Sequence, residues 1–212
     1  MPSKIFKILE NLYVNSVYID KIGLSFNQFI VASTDGKITK IESGDLVRSR
    51  KKTDGIFRTL CESFEVKGKL IPDEEILPMF KKAYEDAIST GSRIFWLDGI
   101  GRNPSQINWL AENKILTPDK SKCLRLMVSL ETCRKRREHA LQNEYRNDRE
   151  DNDKWEERYH LHCREESEIL LAVKSVGVTP ITLNGNAELS QLKLRVLHQV
   201  RDFIPYPFST LS

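Results

Sequence analysis

The sequence lacks a long apolar run and a recognisable secretory signal, and each absence bears on the class of protein. No stretch approaches the roughly 18 uncharged apolar residues that a membrane-spanning helix needs, so we expect no membrane association. The first residues, MPSKIFKILENLY, alternate charged and apolar side chains and contain no small-residue cleavage site, which predicts no secretory signal peptide. The expected location is cytoplasmic, with an organelle presequence as the alternative.

Cysteine is scarce. The four cysteines, Cys61, Cys123, Cys133 and Cys163, lie far apart and include no C-x-x-C pair. This spacing predicts reduced thiols and argues against a disulfide framework or a zinc site. The four histidines show no metal-ligand spacing either.

Charge of one sign is also not in large excess. The 33 Lys and Arg residues nearly balance the 30 Asp and Glu residues, and a net charge of +3 indicates no particular partner. There is no internal repeat, low-complexity tract or linker rich in glycine and proline. A length of 212 residues therefore predicts a single domain over residues 1–212, large enough to bury a full core.

Short apolar segments alternate with helical patterns along the chain. The best strand candidates, at 94–97, 124–128 and 179–183, are continuous apolar runs of the kind that is covered on both faces of a sheet. Helical patterns occupy about 73–89, 104–113, 152–176 and 187–200. The alternation predicts an α/β fold with a doubly wound parallel sheet of about five strands flanked by helices.

Residues 1–42 allow two interpretations. In one, 29–33 and 38–41 are the arms of a hairpin that turns at an Asp-Gly pair. In the other, 14–19 is a strand, 20–25 a loop, 26–33 a helix and 38–41 the next strand. We favour the second, because a doubly wound sheet needs a strand–helix unit before the rest.

Two motifs follow predicted strands. In SGDLVR at 43–48, Ser43 is a good helix N-cap, and Arg48 would project towards whatever lies above the strand ends. In DGIGR at 98–102, Asp98 could hold Mg²⁺ through waters and Arg102 could bind a phosphate with two hydrogen bonds. The alternatives are an ordinary capped helix with a surface arginine and a tight turn whose charges face solvent.

A run of charged residues extends from 134 to 158. Basic residues within it would together form a cationic lid suited to a polyphosphate: Arg134, Lys135, Arg136, Arg137, Arg146 and Arg158. Taken singly, each is typical of a solvated helix face. RNA contact is a further alternative, although few aromatic residues lie in this run.

Taken in order, these segments resemble the adenylate kinase family, the nucleoside monophosphate kinases of the P-loop class. The resemblance covers most of the chain, from about residue 38 to 200. The family's [ST]-G-D-x-x-R motif is similar to SGDLVR at 43–48, and its G-x-L-[VI]-P-D-E element to GKLIPDE at 68–74. Its D-G-F-P-R-x-x-x-Q motif is similar to DGIGRNPSQ at 98–106, where Ile-Gly replaces Phe-Pro, and its turn near the donor adenine is similar to NGN at 184–186.

The resemblance implies an acceptor region at about 43–80 and a short lid at about 136–148 without a zinc-binding insertion. It implies arginines at the transferring phosphoryl group, namely Arg102, Arg136, Arg146 and Arg158. The acceptor nucleotide would contact Ser43, Arg48, Lys69, Ile71, Arg102 and Gln106, with Gln106 on its adenine. The donor nucleotide would lie near Lys21, Gly23, Asn184 and Gly185, with Mg²⁺ accompanying ATP and Asp98 as the metal residue.

The family's phosphate-binding string, G-x-x-x-x-G-K-[GST], is absent. In the register that aligns 27–30 with the family's first helix, the loop reads DKIGLS at 20–25, and Gly23 falls where the lysine should be. Backbone N–H groups of a glycine loop normally surround the donor phosphates, and the lysine neutralises them. We therefore expect weak donor binding, with Lys21 as the nearby cation.

The expected function is phosphoryl transfer from ATP to AMP or another nucleoside monophosphate, impaired by loss of this loop. The alternative is a catalytically inactive, kinase-derived subunit of a larger complex that binds nucleotide or has a structural role. Its partners would then include RNA or other proteins.

Overall fold

One parallel sheet forms the centre of the molecule. The computed structural model describes residues 4–10, 38–65, 69–118, 120–143 and 154–200. The five strands of this part are β1 Lys4–Glu10, β2 Ile38–Glu42, β3 Ile94–Asp98, β4 Ser121–Met127 and β5 Pro180–Asn184. They lie in the order β2-β3-β1-β4-β5, and every neighbouring pair is parallel. The mixed α/β class predicted from the sequence is confirmed.

Helices supply the crossovers that parallel strands require. They are α1 Ser43–Thr53, α2 Gly55–Glu65, α3 Asp73–Ser89, α4 Pro104–Glu112, α5 Leu130–Asn143, α6 Lys154–Ser175 and α7 Leu189–Val200. The helices predicted from about residues 73, 104, 152 and 187 are confirmed as α3, α4, α6 and α7. In the ranges that the structure describes, no helix combines the length and the apolarity needed to cross a bilayer.

The burial of β3 on both faces explains its continuously apolar sequence. All four residues from Ile94 to Leu97 are buried. Successive side chains of a strand point to opposite faces, so both faces of the sheet are covered here. Phe95 and Leu97 belong to the main core, where Tyr84 of α3 packs on Phe95 with ring centroids 4.7 Å apart.

The first strand was not predicted. β1 covers KIFKILE at Lys4–Glu10 and pairs with β3 on one side and β4 on the other. Its lysines and glutamate interrupt the apolar run expected of a central strand, so the local pattern did not identify it. The predicted elements at 14–33, and the tail after 200, lie outside the described residues.

A charged cluster joins β4 to α6. Arg125 donates from Nε and Nη2 to the two carboxylate oxygens of Glu166, at 2.7 and 2.6 Å. His162 Nε2 lies 3.9 Å from the same carboxylate. Burial alone would raise the pKa of Glu166, but the nearby His162 and the hydrogen bonds from Arg125 outweigh it and lower the pKa to about 2.

Candidate functional site

The carboxyl ends of the strands lie along one edge of the sheet. The pairing places Glu42 opposite Asp98 and Met127 opposite Asn184, and β1 ends at Glu10 between these pairs. Open α/β sheets bind ligands at this edge. The predicted site residues Ser43, Asp98 and Asn184 all fall here because each ends a strand or directly follows one.

The motifs at 43–48 and 98–106 are in direct contact. The buried Ser43 hydroxyl donates to the Gly99 carbonyl oxygen at 2.5 Å. Gly99 has a φ of +71°, and a Cβ there would overlap Ser43 Oγ, so only glycine fits. The prediction that Ser43 is the N-cap of α1 was wrong, because the N-cap is Glu42 and the serine hydroxyl bonds across the sheet.

Gln106 supports the turn that follows β3. Its Oε1 accepts hydrogen bonds from the backbone N–H groups of Gly101 and Arg102, at 2.7 and 2.8 Å. Its Nε2 donates to Asp73 Oδ1 at 2.7 Å, and the side chain is only 2% exposed. The resemblance implied that this amide reads the acceptor adenine, whereas its oxygen is already shared by two backbone donors.

Asp73 lies in the segment at 68–74 that resembles a family element, but the sequence indicated no individual role for it. At the first position of α3, its carboxylate accepts from Gln106 Nε2 and from Asn103 Nδ2, the latter at 3.2 Å. Asn103 in turn caps α4, since its Oδ1 accepts from Gln106 N at 2.8 Å. These bonds hold the starts of α3 and α4 beside the turn after β3. Nothing in the local sequence of Asp73 signalled these long-range partners.

Arg48 belongs to a network of two cations and two carboxylates at the end of β2. Its Nη2 donates to Asp45 Oδ1 at 2.5 Å and to Glu42 Oε1 at 2.9 Å. Lys40 Nζ lies 2.5 Å from Glu42 Oε2 and 3.2 Å from Asp45 Oδ2. The arginine predicted to hold the acceptor phosphate therefore already has two anionic partners.

The pKa values of Lys40, Arg48 and Asp45 are shifted in the direction that keeps these groups charged. Burial would lower the pKa values of Lys40 and Arg48, but the hydrogen bonds and charges of Glu42 and Asp45 outweigh it, and both values rise. Burial would raise the pKa of Asp45, but the hydrogen bond from Arg48 and the charge of Lys40 outweigh it, and the value falls. Lys40, Arg48 and Asp45 are therefore ionised at neutral pH.

Arg102 folds back over its own turn. A Cβ on Gly99 would lie 3.1 Å from Arg102 Nη2, which places the guanidinium next to the Ser43–Gly99 contact. Asp98, at the end of β3, is partly buried. Both predicted residues are therefore at the strand edge.

Lys69 and Ile71 lie in the segment between α2 and α3. Lys69 N donates to Phe64 O at 2.9 Å, so this backbone donor already has a partner at the end of α2. The Ile71 side chain is partly buried against the main core. These contacts do not link either residue to the turn after β3.

A second group of predicted residues lies at the ends of β4 and β5. Gly185 is buried; its N–H donates to Met127 O at 2.9 Å, and its carbonyl accepts from Arg136 Nη2 at 2.6 Å. A Cβ on Gly185 would lie 3.1 Å from Met127 O and closer still to the side chain of Val128. Burial lowers the pKa of Arg136. This arginine, predicted at the transferring group, is thus fixed beside the turn predicted to hold the donor adenine.

No protein-family model matches the chain, and no curated protein is significantly similar to it. The case for a nucleotide site therefore depends on the motifs and on the contacts between them.

Some predicted site residues lie outside the described part of the chain. Lys21, Gly23 and Arg146 are among these. Arg158 lies on α6, but the position of its side chain is not described. Across the described residues there is no cluster of three metal-ligating side chains.

The arrangement is suited to binding an anion. The edge carries a guanidinium at Arg102, the start of α1 and, across the sheet, a second guanidinium at Arg136. Guanidinium groups and helix N-termini both bind phosphate groups well.

Proposed function

We propose that the chain binds a nucleoside monophosphate at the carboxyl ends of β2 and β3 and is an adenylate-kinase-like protein with impaired phosphoryl transfer. The observation that carries this proposal is the hydrogen bond between Ser43 Oγ and Gly99 O, at 2.5 Å. It joins two motifs that are far apart in the sequence and that the resemblance assigns to one acceptor site.

The topology supports a ligand crevice at this edge. β1 lies between β3 and β4. After β1 the chain next enters the sheet at β2, on the side of β3, whereas after β4 it continues to β5, on the opposite side of β1. Strands whose connections run in opposite directions leave a crevice beyond their carboxyl ends. The acceptor motifs lie on one side of β1, and Arg136 and Gly185 lie on the other. A P-loop-kinase-like, doubly wound arrangement would place an acceptor and a donor on these two sides.

The part of the site predicted to bind the donor nucleotide lacks the usual phosphate-binding loop. The connection from Glu10 to Ile38 contains glycine only at 23 and 36 and lacks the G-x-x-x-x-G-K string. A charge-assisted hydrogen bond contributes about 1.5 to 3 kcal/mol, and a phosphate loop makes several of them. Losing them weakens ATP binding by orders of magnitude, and transfer is slow because phosphoryl transfer depends on positioning and electrostatics.

Asp98 fits a magnesium ion that is held mainly by phosphates and water. It supplies one carboxylate at the end of β3, opposite Glu42 of β2. Mg²⁺ in nucleotide sites often takes only one or two protein carboxylates, so a three-ligand cluster is not required. When bound with ATP, the ion would neutralise phosphate charge.

Calorimetric titration with AMP, GMP, CMP, UMP and ATP, each alone, tests the proposal. We expect at least one monophosphate to bind and ATP to bind far more weakly. Arg102→Ala should weaken monophosphate binding at least about tenfold, because it removes a charge-assisted contact. Arg93→Ala, at the opposite end of β3, is the matched control and should change nothing. No monophosphate binding at millimolar concentration would refute the proposal.

The alternative of a catalytically inactive nucleotide-binding subunit is favoured by one observation, the missing glycine loop. A coupled assay for ADP at high protein concentration separates the two. ADP formation that Arg102→Ala abolishes supports the enzyme. Monophosphate binding without any ADP formation supports the subunit.

A further inference from the structure

Glu42 occupies the position where an anionic ligand would be expected. It is the last residue of β2 and the N-cap residue of α1, yet its side chain makes no capping hydrogen bond. Its carboxylate instead bonds Arg48 Nη2 at 2.9 Å and lies 2.5 Å from Lys40 Nζ. A carboxylate beside two cations and a helix N-terminus is in the electrostatic environment that favours a phosphate.

The local sequence is built to accommodate this carboxylate. Gly44 leaves space for it, since a Cβ there would lie 3.3 Å from Glu42 Oε1 and 3.1 Å from Arg48 Nη1. The Glu42 side chain is only 11% exposed, whereas that of Arg48 is 52% exposed. The carboxylate therefore lies on the inner side of the pair, between Arg48 and the sheet edge.

Glu42 cancels positive charge that a ligand phosphate would otherwise meet. Lys40 and Arg48 are neutralised by Glu42 and Asp45, so the network has no net charge to offer a phosphate. Asp45 is about half exposed and pairs with Arg48 and Lys40, whereas the Glu42 side chain is mostly buried and Glu42 lies opposite Asp98 at the end of β3. Removing the charge of Glu42 alone would leave the network with a net charge of about +1.

We propose that Glu42 is an internal competitor for the acceptor phosphate: its carboxylate shares Arg48 Nη2 with Asp45 and cancels positive charge that the ligand would otherwise meet. The inference rests on the proposed function, because it concerns the affinity of the same site. It makes Glu42 the residue that sets how tightly the acceptor phosphate binds.

The test titrates the full chain with inorganic phosphate and, separately, with AMP at low ionic strength. Glu42→Gln keeps the size of the side chain and removes its charge, and it should bind both probes about three to ten times more tightly than the parent protein. The gain should shrink at high salt, because screening weakens the competition. Glu42→Ser, which removes the charge with a different side chain, should shift affinity in the same direction.

Glu75→Gln is the matched control. Glu75 is also paired with an arginine of α1, Arg50 Nη1 at 2.7 Å, but it lies at the start of α3. Its replacement should leave both affinities unchanged. The double variant Glu42→Gln/Arg48→Gln should lose the gain, since the guanidinium that the ligand reaches is gone.

The outcomes separate this inference from the proposed function. Tighter phosphate binding by Glu42→Gln with no AMP binding by any variant supports the competitor and refutes the monophosphate site. AMP binding that is equal or weaker in Glu42→Gln refutes the competitor and leaves the site. Equal phosphate binding by the parent protein and both Glu42 variants also overturns the competitor.

Discussion

Replacing Gln106 by alanine should destabilise the fold rather than simply change base selectivity. The buried amide accepts from Gly101 N and Arg102 N and donates to Asp73. An alanine leaves both backbone N–H groups without their acceptor in a place where water does not easily replace it. Asp73 keeps Asn103 as a donor.

The magnitude follows from the two backbone donors. Each donor that loses its partner costs about 1 to 3 kcal/mol, so the loss of both in Gln106→Ala should lower the free energy of unfolding by about 2 to 6 kcal/mol. That is a large share of the total stability of about 5 to 15 kcal/mol typical of a domain. With a urea m-value of about 2 to 3 kcal/mol per molar, the unfolding midpoint should fall by about 0.7 to 3 M.

Urea unfolding followed by circular dichroism measures this effect. Asn113→Ala is a suitable control, because that partly buried amide donates a single hydrogen bond, to Trp109 O at 2.9 Å. It should cost about 1 kcal/mol or less. If Gln106→Ala unfolds at the parent midpoint and instead changes which monophosphate binds, the assignment of Gln106 to the turn is refuted and the base-reading role is supported.

Further predictions concern the β4–β5 turn, pH and thiol reactivity. Gly185→Ala should lower the free energy of unfolding by about 1 to 3 kcal/mol, because the added Cβ would overlap Met127 and Val128. Gly55→Ala, with open space around it, should be neutral or slightly stabilising in thermal unfolding. Equal melting temperatures of the two variants would contradict the close packing at Gly185. Because the folded pKa of Glu166 lies below the unfolded value of about 4.3, its contribution is present above that value and is lost as the pH falls towards about 2. The stability difference between the parent protein and Glu166→Gln should therefore narrow over this range, and a constant difference would count against it. Cys133 is buried with its pKa raised to about 11, so a thiol reagent should label the exposed Cys163 first, and rapid labelling of Cys133 in the native protein would contradict its burial.

The parts of the fold that could be predicted from the sequence are those with strong local patterns. IFWL at 94–97 is buried on both faces, and a continuous apolar run is the direct signal of that environment. β1 carries no such run, since KIFKILE has a lysine at both its first and its fourth position. Its place between β3 and β4 is set by pairing with strands about 90 and 115 residues away, which no local window contains.

The sequence predicted the location of the candidate site but not the hydrogen bonds and ion pairs within it. Motifs that follow predicted strands indicated the edge of the sheet where the candidate site lies, because the carboxyl ends of parallel strands all meet at that edge. The partners of Ser43, Arg48 and Gln106 were not predictable, since each bond depends on how separate segments pack. Glu42 was passed over because an acidic residue at the end of a short strand looks like a solvated charge, and only its contacts with Lys40 and Arg48 show otherwise.

The segment from α1 to the start of α3 is fastened to the rest of the molecule at both of its ends. Ser43 bonds Gly99 at the first end, and Asp73 bonds Gln106 at the second. Between these two bonds, Val47 of α1 and Phe57 and Cys61 of α2 are also buried in the main core. The segment is therefore anchored along its length as well as at its ends, and we expect α1 and α2 to keep their position relative to the sheet edge when a ligand binds.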